Sequence, residues 1–162
     1  MQRFHVRIAK DDLAFSAAHF ITFQGGVCER LHGHNYRVAA EVYGPLNESR
    51  YVVDFVALHD ALRAIVEEWD HRVLLPAEHP TMRLRDDGQE IEVVFGGRRW
   101  VFPREDCLLL PIANTTAELL ARLTGQRLLD VLSSRCGTRS AEVQIEIEES
   151  RGVSAVCRLH AE

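Results

Sequence analysis

From His34 to Tyr43 the chain alternates between polar and apolar positions, with Tyr36, Val38, Ala40 and Val42 on one side. A strand buried on one face has that period, because successive side chains leave it in opposite directions. The pattern recurs. Phe4, Val6 and Ile8 alternate, as do Phe15, Ala17 and His19, with a break at Lys10-Asp11-Asp12. Val143, Ile145 and Ile147 make a later strand, and Val153 to Leu159 a last one after a turn at Gly152. Gly44-Pro45 ends the central strand.

Two segments have the helical period instead. Asp54 is placed to cap a helix over Phe55–Trp69, with Leu58, Leu62, Ile65 and Val66 on one face. A second helix is predicted from near Asn114 to about Leu132. Thr115-Thr116-Ala117-Glu118 fits a capping box with Thr115 as cap and Glu118 at the third helical position. Leu119, Leu120, Leu123, Leu128 and Val131 supply its apolar positions, and Gly125 weakens it without breaking it. Phe23 to Arg30 and Pro76 to Pro80 read as loops. Met82 to Phe102 reads as a β-hairpin or small meander with turns at Asp87-Gly88 and Gly96-Gly97. The expected order is β, β, α, inserted β, α, β, β. That is one α+β domain over residues 1–162, with an antiparallel four-stranded sheet, two helices on one face and an insertion at about 79–106.

The chain has 162 residues, enough for a sizeable core. A formal net charge of −5 argues against a nucleic-acid surface. No apolar run approaches the roughly 20 residues of a membrane helix. The charged start MQRFHVRIAK is unlike a signal peptide, so a cytoplasmic protein with neither a nucleic-acid nor a membrane partner is expected. Cys28, Cys107, Cys136 and Cys157 are widely spaced with no CxxC pair, which fits thiols better than a disulfide framework.

His32 and His34 are two residues apart, so on one strand their side chains share a face. His19 ends the preceding strand, and the loop between could bring it alongside. Three neutral imidazoles suit zinc and leave a fourth position open, as in catalytic sites. Cys28 could instead close the site as a fourth ligand, or the histidines could be ordinary surface and packing residues. Asp70-His71, at the exit of the first helix, offers a carboxylate-oriented imidazole that could relay protons with Cys28. It could equally satisfy the helix end. Glu149 falls in phase with the inward residues Val143, Ile145 and Ile147 and so needs a donor. That donor is either a ligand with two adjacent N–H groups or a salt-bridge partner. Glu146 and Glu148 should face solvent. His5, His59, His79 and His160 have no comparable context.

Six stretches in this order resemble the 6-pyruvoyltetrahydropterin synthase and 6-carboxytetrahydropterin synthase family. They are Phe15-Ser16-Ala17-Ala18-His19, Cys28-x-x-x-His32-Gly33-His34-Asn35-Tyr36, Val53-Asp54-Phe55, Asp70-His71, Asn114-Thr115-Thr116-Ala117-Glu118 and Ile147-Glu148-Glu149-Ser150. The resemblance implies the tunnelling fold, in which sheets of several subunits form a barrel. It also implies zinc at His19, His32 and His34, with Cys28 as a general base that does not bind the metal. Asp70 and His71 would come from a neighbouring subunit of a homo-oligomer, expected to be a hexamer. Glu149 would hold the 2-amino and N3 hydrogens of the pterin, and Thr116 would also contact it. The implied substrate is 7,8-dihydroneopterin triphosphate. The favoured product is 6-carboxytetrahydropterin, a 7-deazaguanine (queuosine) precursor, with release of acetaldehyde and triphosphate; the alternative is 6-pyruvoyltetrahydropterin. Two departures stand out: the segment from about His79 to Asp106 is longer than in compact members, and Ala117 replaces a second threonine. Outside the family, a metal-free Cys28-His71-Asp70 hydrolase and a silent zinc-binding scaffold remain competing readings.

Overall fold

The computed structural model describes residues 4–24, 26–136 and 142–160. The chain starts with β1 (Phe4–Ile8), turns where Leu13 N donates to Lys10 O, and continues as β2 (Ala14–His19). Two short strands, β3 (Thr22–Phe23) and β4 (Val27–Cys28), pair as a hairpin in the segment predicted as loop. Then come the long β5 (His32–Gly44), α1 (Phe55–Trp69) and β6 (Arg72–Pro76). The inserted segment is a three-stranded antiparallel meander of β7 (Arg83–Asp86), β8 (Glu90–Phe95) and β9 (Arg98–Pro103). A short 3₁₀ turn leads into β10 (Cys107–Leu110), followed by α2 (Ala117–Cys136), β11 (Glu142–Ser150) and β12 (Val153–His160).

The main sheet runs β10-β6-β2-β5-β11-β12, with β1 also paired to β5. It has seven strands, not four, and it is mixed: β6 lies parallel to both β2 and β10, while the other pairs are antiparallel. The α+β class stands; β6 and β10 at one side, and the separation of the first extended stretch into β1 and β2, account for the three additional strands. Arg-Val-Leu-Leu-Pro and Cys-Leu-Leu-Leu are short apolar runs with no period-two signal, as expected of strands covered on both faces.

Both helices cover one face of the sheet. Tyr36, Val38, Ala40 and Val42 of β5 and Val143, Ile145 and Ile147 of β11 pack with Leu58, Leu62, Val66, Leu120 and Leu128 in the main core. Each such large apolar side chain contributes roughly 1.5–3 kcal/mol on burial. A second core forms where the meander meets the sheet, from Ile91, Val93 and Phe95 against Phe20, Leu75 and Cys107.

The caps are resolved residue by residue. Asp54 Oδ1 accepts from Ala57 N at 2.9 Å, as predicted. In α2 the cap is Thr116, whose Oγ1 accepts from Leu119 N at 3.4 Å, and not Thr115. Thr115 is buried, and its hydroxyl donates to Phe20 O at 3.3 Å. Gly125 has a packing reason: a Cβ there would lie 2.1 Å from Leu159 Cδ1, so its absence lets α2 approach β12. Cys107 is buried and Cys157 half-buried, both as free thiols, while the side chain of Cys136 lies outside the described residues. No described helix is long and apolar enough to cross a membrane.

Candidate metal and active site

The end of β2 and the start of β5 pair with His19 opposite His32 and Ala17 opposite His34. Opposite and diagonal neighbours on one sheet face are within reach of long side chains. The ring centroids lie 4.9 Å (His19–His32), 5.2 Å (His19–His34) and 4.8 Å (His32–His34) apart. One ring nitrogen from each falls within 4.8 Å of the other two. Gly33 permits the close strand approach, since a Cβ there would sit 3.1 Å from the backbone oxygen of Ala17.

Carbonyl oxygens orient two of the rings. His19 Nδ1 lies 2.9 Å from Thr115 O, and His32 Nδ1 lies 2.8 Å from Arg30 O. A carbonyl can only accept, so each Nδ1 is the donor, and in the neutral ring Nε2 carries the lone pair. Burial lowers the His19 pKa, against the opposing pull of the Thr115 carbonyl and Glu149, and so favours the neutral ring. Glu149 Oε1 lies 3.3 Å from His19 Nε2 and 3.2 Å from His34 Nε2. Three imidazole nitrogens with a carboxylate oxygen beside them are the ligand types that zinc and similar divalent ions take. The donor set therefore fits a divalent cation.

Glu149 reaches this position from a β-bulge. The β11–β12 register shifts between Glu148 and Ser150, and a bulge redirects the side chain it carries. Of its neighbours, Glu146 faces Ser154 and Arg7, and Glu148 accepts from Gly152 N. Tyr36 is a site residue that the sequence reading left in the core. Its hydroxyl lies 3.2 Å from His19 Nε2, and burial, with Glu149 and Glu29 adding to it, pushes its pKa up and keeps it a donor. The signal was available in the two-residue phasing His32, His34, Tyr36. Thr115, which the sequence pattern assigns to the helix cap, acts here through its backbone carbonyl, which orients the His19 ring.

Cys28 lies half-buried in β4, and its thiol donates to Glu29 O at 3.4 Å. It is not part of the ligand cluster, so a closed Cys-His-His-His site is not built. Burial raises its pKa and outweighs the lowering by Arg98, so the chain by itself favours the thiol over the thiolate. The adjacent Glu29 extends toward the site instead. Its Oε2 accepts from Ile21 N at 3.2 Å and lies 3.9 Å from His32 Nε2.

Asp70 and His71 form a separate pair. Asp70 Oδ1 accepts from Ser16 N at 2.7 Å, and Oδ2 lies 2.9 Å from His71 Nδ1. The Ser16 N–H, then His71, hold the Asp70 carboxyl below its usual pKa. His71 has a left-handed backbone with φ 57°, and its side chain is 83% exposed. Among the described residues, no hydrogen bond or ion pair joins this pair to Cys28. A cavity of about 490 Å³ lies between His71, Asp106 and His34. Another, of about 760 Å³, opens beside His34 and Glu149 and is also lined by Arg37 and Arg151. Of the remaining histidines, His79 has a definite role that the sequence did not suggest. Its Nδ1 accepts from the N–H groups of Thr81 and Met82, and Nε2 donates to Thr22 Oγ1 at 2.8 Å.

A helix-backed mixed sheet with three imidazoles at one end of a strand pair places the chain among tunnelling-fold proteins. The solved structure of Plasmodium falciparum 6-pyruvoyl tetrahydropterin synthase superposes with a TM-score of 0.90 at 26% identity, covering 99% of each chain. The chain belongs to the 6-pyruvoyl tetrahydropterin synthase family, whose sequence model matches residues 8–160. A Methanocaldococcus jannaschii protein assigned as a 6-carboxy-5,6,7,8-tetrahydropterin synthase is 33% identical over 153 residues, 93% of this chain and 92% of that one. The Aquifex aeolicus 6-carboxy-5,6,7,8-tetrahydropterin synthase is 29% identical over 119 residues, 72% of this chain and 67% of its own. The family is one of tetrahydropterin-forming enzymes of the lyase type.

Proposed function

We propose that this protein converts 7,8-dihydroneopterin triphosphate and water into 6-carboxy-5,6,7,8-tetrahydropterin, acetaldehyde and triphosphate. The observation that carries this reading is the convergence of three imidazoles, two of them oriented by backbone carbonyls, beside the Glu149 carboxylate. The names of the relatives favour the carboxy product. His19, His32 and His34 would hold zinc, which supplies electrostatic stabilisation for negative charge developing on the substrate side chain.

The remaining chemistry belongs to this chain's own groups. Cys28 removes a side-chain proton, and His71, oriented by Asp70, relays protons. The exposure of His71, and the lack of a hydrogen bond between it and Cys28 among the described residues, support an active site shared between subunits of a hexamer. Glu149 turns toward the cavity it lines and accepts from the pterin 2-amino and N3 hydrogens. Thr116 Oγ1 accepts from Leu119 N as the helix cap, which leaves its O–H free to donate to the pterin. The pathway served is the formation of 7-deazaguanine precursors.

The test is product identification with purified, zinc-loaded protein. Acetaldehyde and 6-carboxytetrahydropterin are expected in equal amounts. Formation of 6-pyruvoyltetrahydropterin without acetaldehyde would assign the alternative activity. No turnover of this substrate would refute both.

A further inference from the structure

The inserted meander does more than lengthen the chain, because its residues grip the β3–β4 hairpin that carries Cys28. Arg98, at the start of β9, directs one guanidinium nitrogen, Nη1, to the backbone oxygens of both Cys28 and Glu29, each at 2.8 Å. That nitrogen has two N–H groups, one for each carbonyl. The guanidinium carbon also lies 4.5 Å from the ring centre of Trp100. Trp100 in turn stacks on Phe20, the residue after His19, at 4.6 Å with an interplanar angle of 14°. Phe20 is buried in the meander's own core, and Cys28 packs against that core. The chain Phe20–Trp100–Arg98 therefore links the strand end that carries His19 to the peptide that carries Cys28 and Glu29.

The other end of the hairpin is held as well. Asn114 clamps Thr22 through both backbone groups, donating Nδ2 to Thr22 O at 3.0 Å and accepting Thr22 N on Oδ1 at 3.3 Å. His79 bonds the Thr22 hydroxyl. At the Cys28 end, the carbonyl oxygens of residues 28 and 29 are met by the arginine of the insertion.

We propose that Arg98 is a positioning residue of this enzyme, fixing the Cys28–Glu29 peptide against the inserted meander and so setting where the thiol and the Glu29 carboxylate stand relative to the three histidines. The catalytic part of this assignment rests on the function proposed above; the positioning itself does not. The charged groups acting on the thiol in this chain are Arg98 and Glu29, with opposite effects. Removing Arg98 leaves Glu29 unopposed.

The experiment compares wild type with Arg98→Ala and Arg98→Lys on the zinc-loaded protein. Site-resolved alkylation with iodoacetamide, read by mass spectrometry on the Cys28 peptide, gives the pH midpoint of that thiol without relying on turnover. Arg98→Ala is expected to keep its zinc, to raise the Cys28 midpoint, and to lower kcat about tenfold with KM within about twofold, as for an interaction that acts on the reaction more than on binding. Arg98→Lys, which keeps the positive charge without the guanidinium, is expected to recover part of the midpoint shift and less of the turnover. An unchanged midpoint in Arg98→Ala overturns the proposal. So does a loss of zinc together with turnover, which would make Arg98 a general structural support. If wild type does not turn over the pterin but the midpoint shifts as expected, the positioning stands and the proposed substrate falls.

Discussion

His71 shows how one residue carries two constraints. Its backbone is in the left-handed region, where Asn and His are tolerated better than β-branched residues, and its N–H donates to Ser16 O at 2.7 Å. Its side chain is exposed and held by Asp70. A conformation of this kind persists only where its surroundings enforce it. His71→Asn separates the two constraints, because Asn accepts the same backbone but cannot relay a proton between two ring nitrogens. The expected result is a melting temperature within about 3 °C of wild type, a change of about 1 kcal/mol for a domain of this size. Turnover is expected to fall by about 10²-fold, the lower range for removal of a general acid–base. Full turnover in the variant would remove His71 from the mechanism. At this scale the sequence was most informative where side chains share one strand. His32 and His34 follow from phase alone. Tyr36 follows from the same phase but resembles its apolar neighbours Val38 and Ala40, so its polar end passed unread.

Between elements, the junction of α1, β2 and β6 depends on Asp70. The carboxylate at the helix exit accepts from the N–H of Ser16 in β2 and so ties the helix end to the sheet. Its folded-state pKa lies below the unfolded value. Its contribution is therefore complete above the unfolded carboxyl pKa and is lost as pH falls through the folded one. Asp70→Ala is expected to destabilise by about 1 kcal/mol at pH 7, less than a buried hydrogen bond to a charged group because solvent screens the partly exposed side chain. The gap between variant and wild type should close on acidification in chemical denaturation; a gap that is constant down to pH 2 would contradict it. Elements whose signal is local were legible. Asp54 caps α1 as the sequence suggests, and β5 follows its alternation. Those fixed by distant partners were not. β6 and β10 become strands because each finds a neighbour in the sheet, and β3–β4 pairs over only two residues a strand. The α2 cap moved by one residue because two adjacent threonines offer the same hydroxyl, and burial of Thr115 against Phe20 decides between them.

For the whole molecule, the sheet brings together what the chain keeps far apart. Thr115 follows His19 by 96 positions and Glu149 is further along still, yet both touch that one ring. The helices cover one face of the sheet, while the meander holds the hairpin that carries Cys28. The ordered motifs revealed the family, but the grip of Arg98 on Cys28 and Glu29 could not be read from them. It spans 69 or 70 positions between a surface arginine and two backbone oxygens, and carbonyls have no sequence signature. The central claim is that three imidazoles hold the metal while the neighbouring thiol remains free. X-ray absorption at the zinc edge of the loaded protein tests it most directly. The expected spectrum has three imidazole nitrogens at roughly 2.0–2.1 Å, completed by oxygen. A sulfur shell at roughly 2.3 Å that disappears in Cys28→Ala would contradict it.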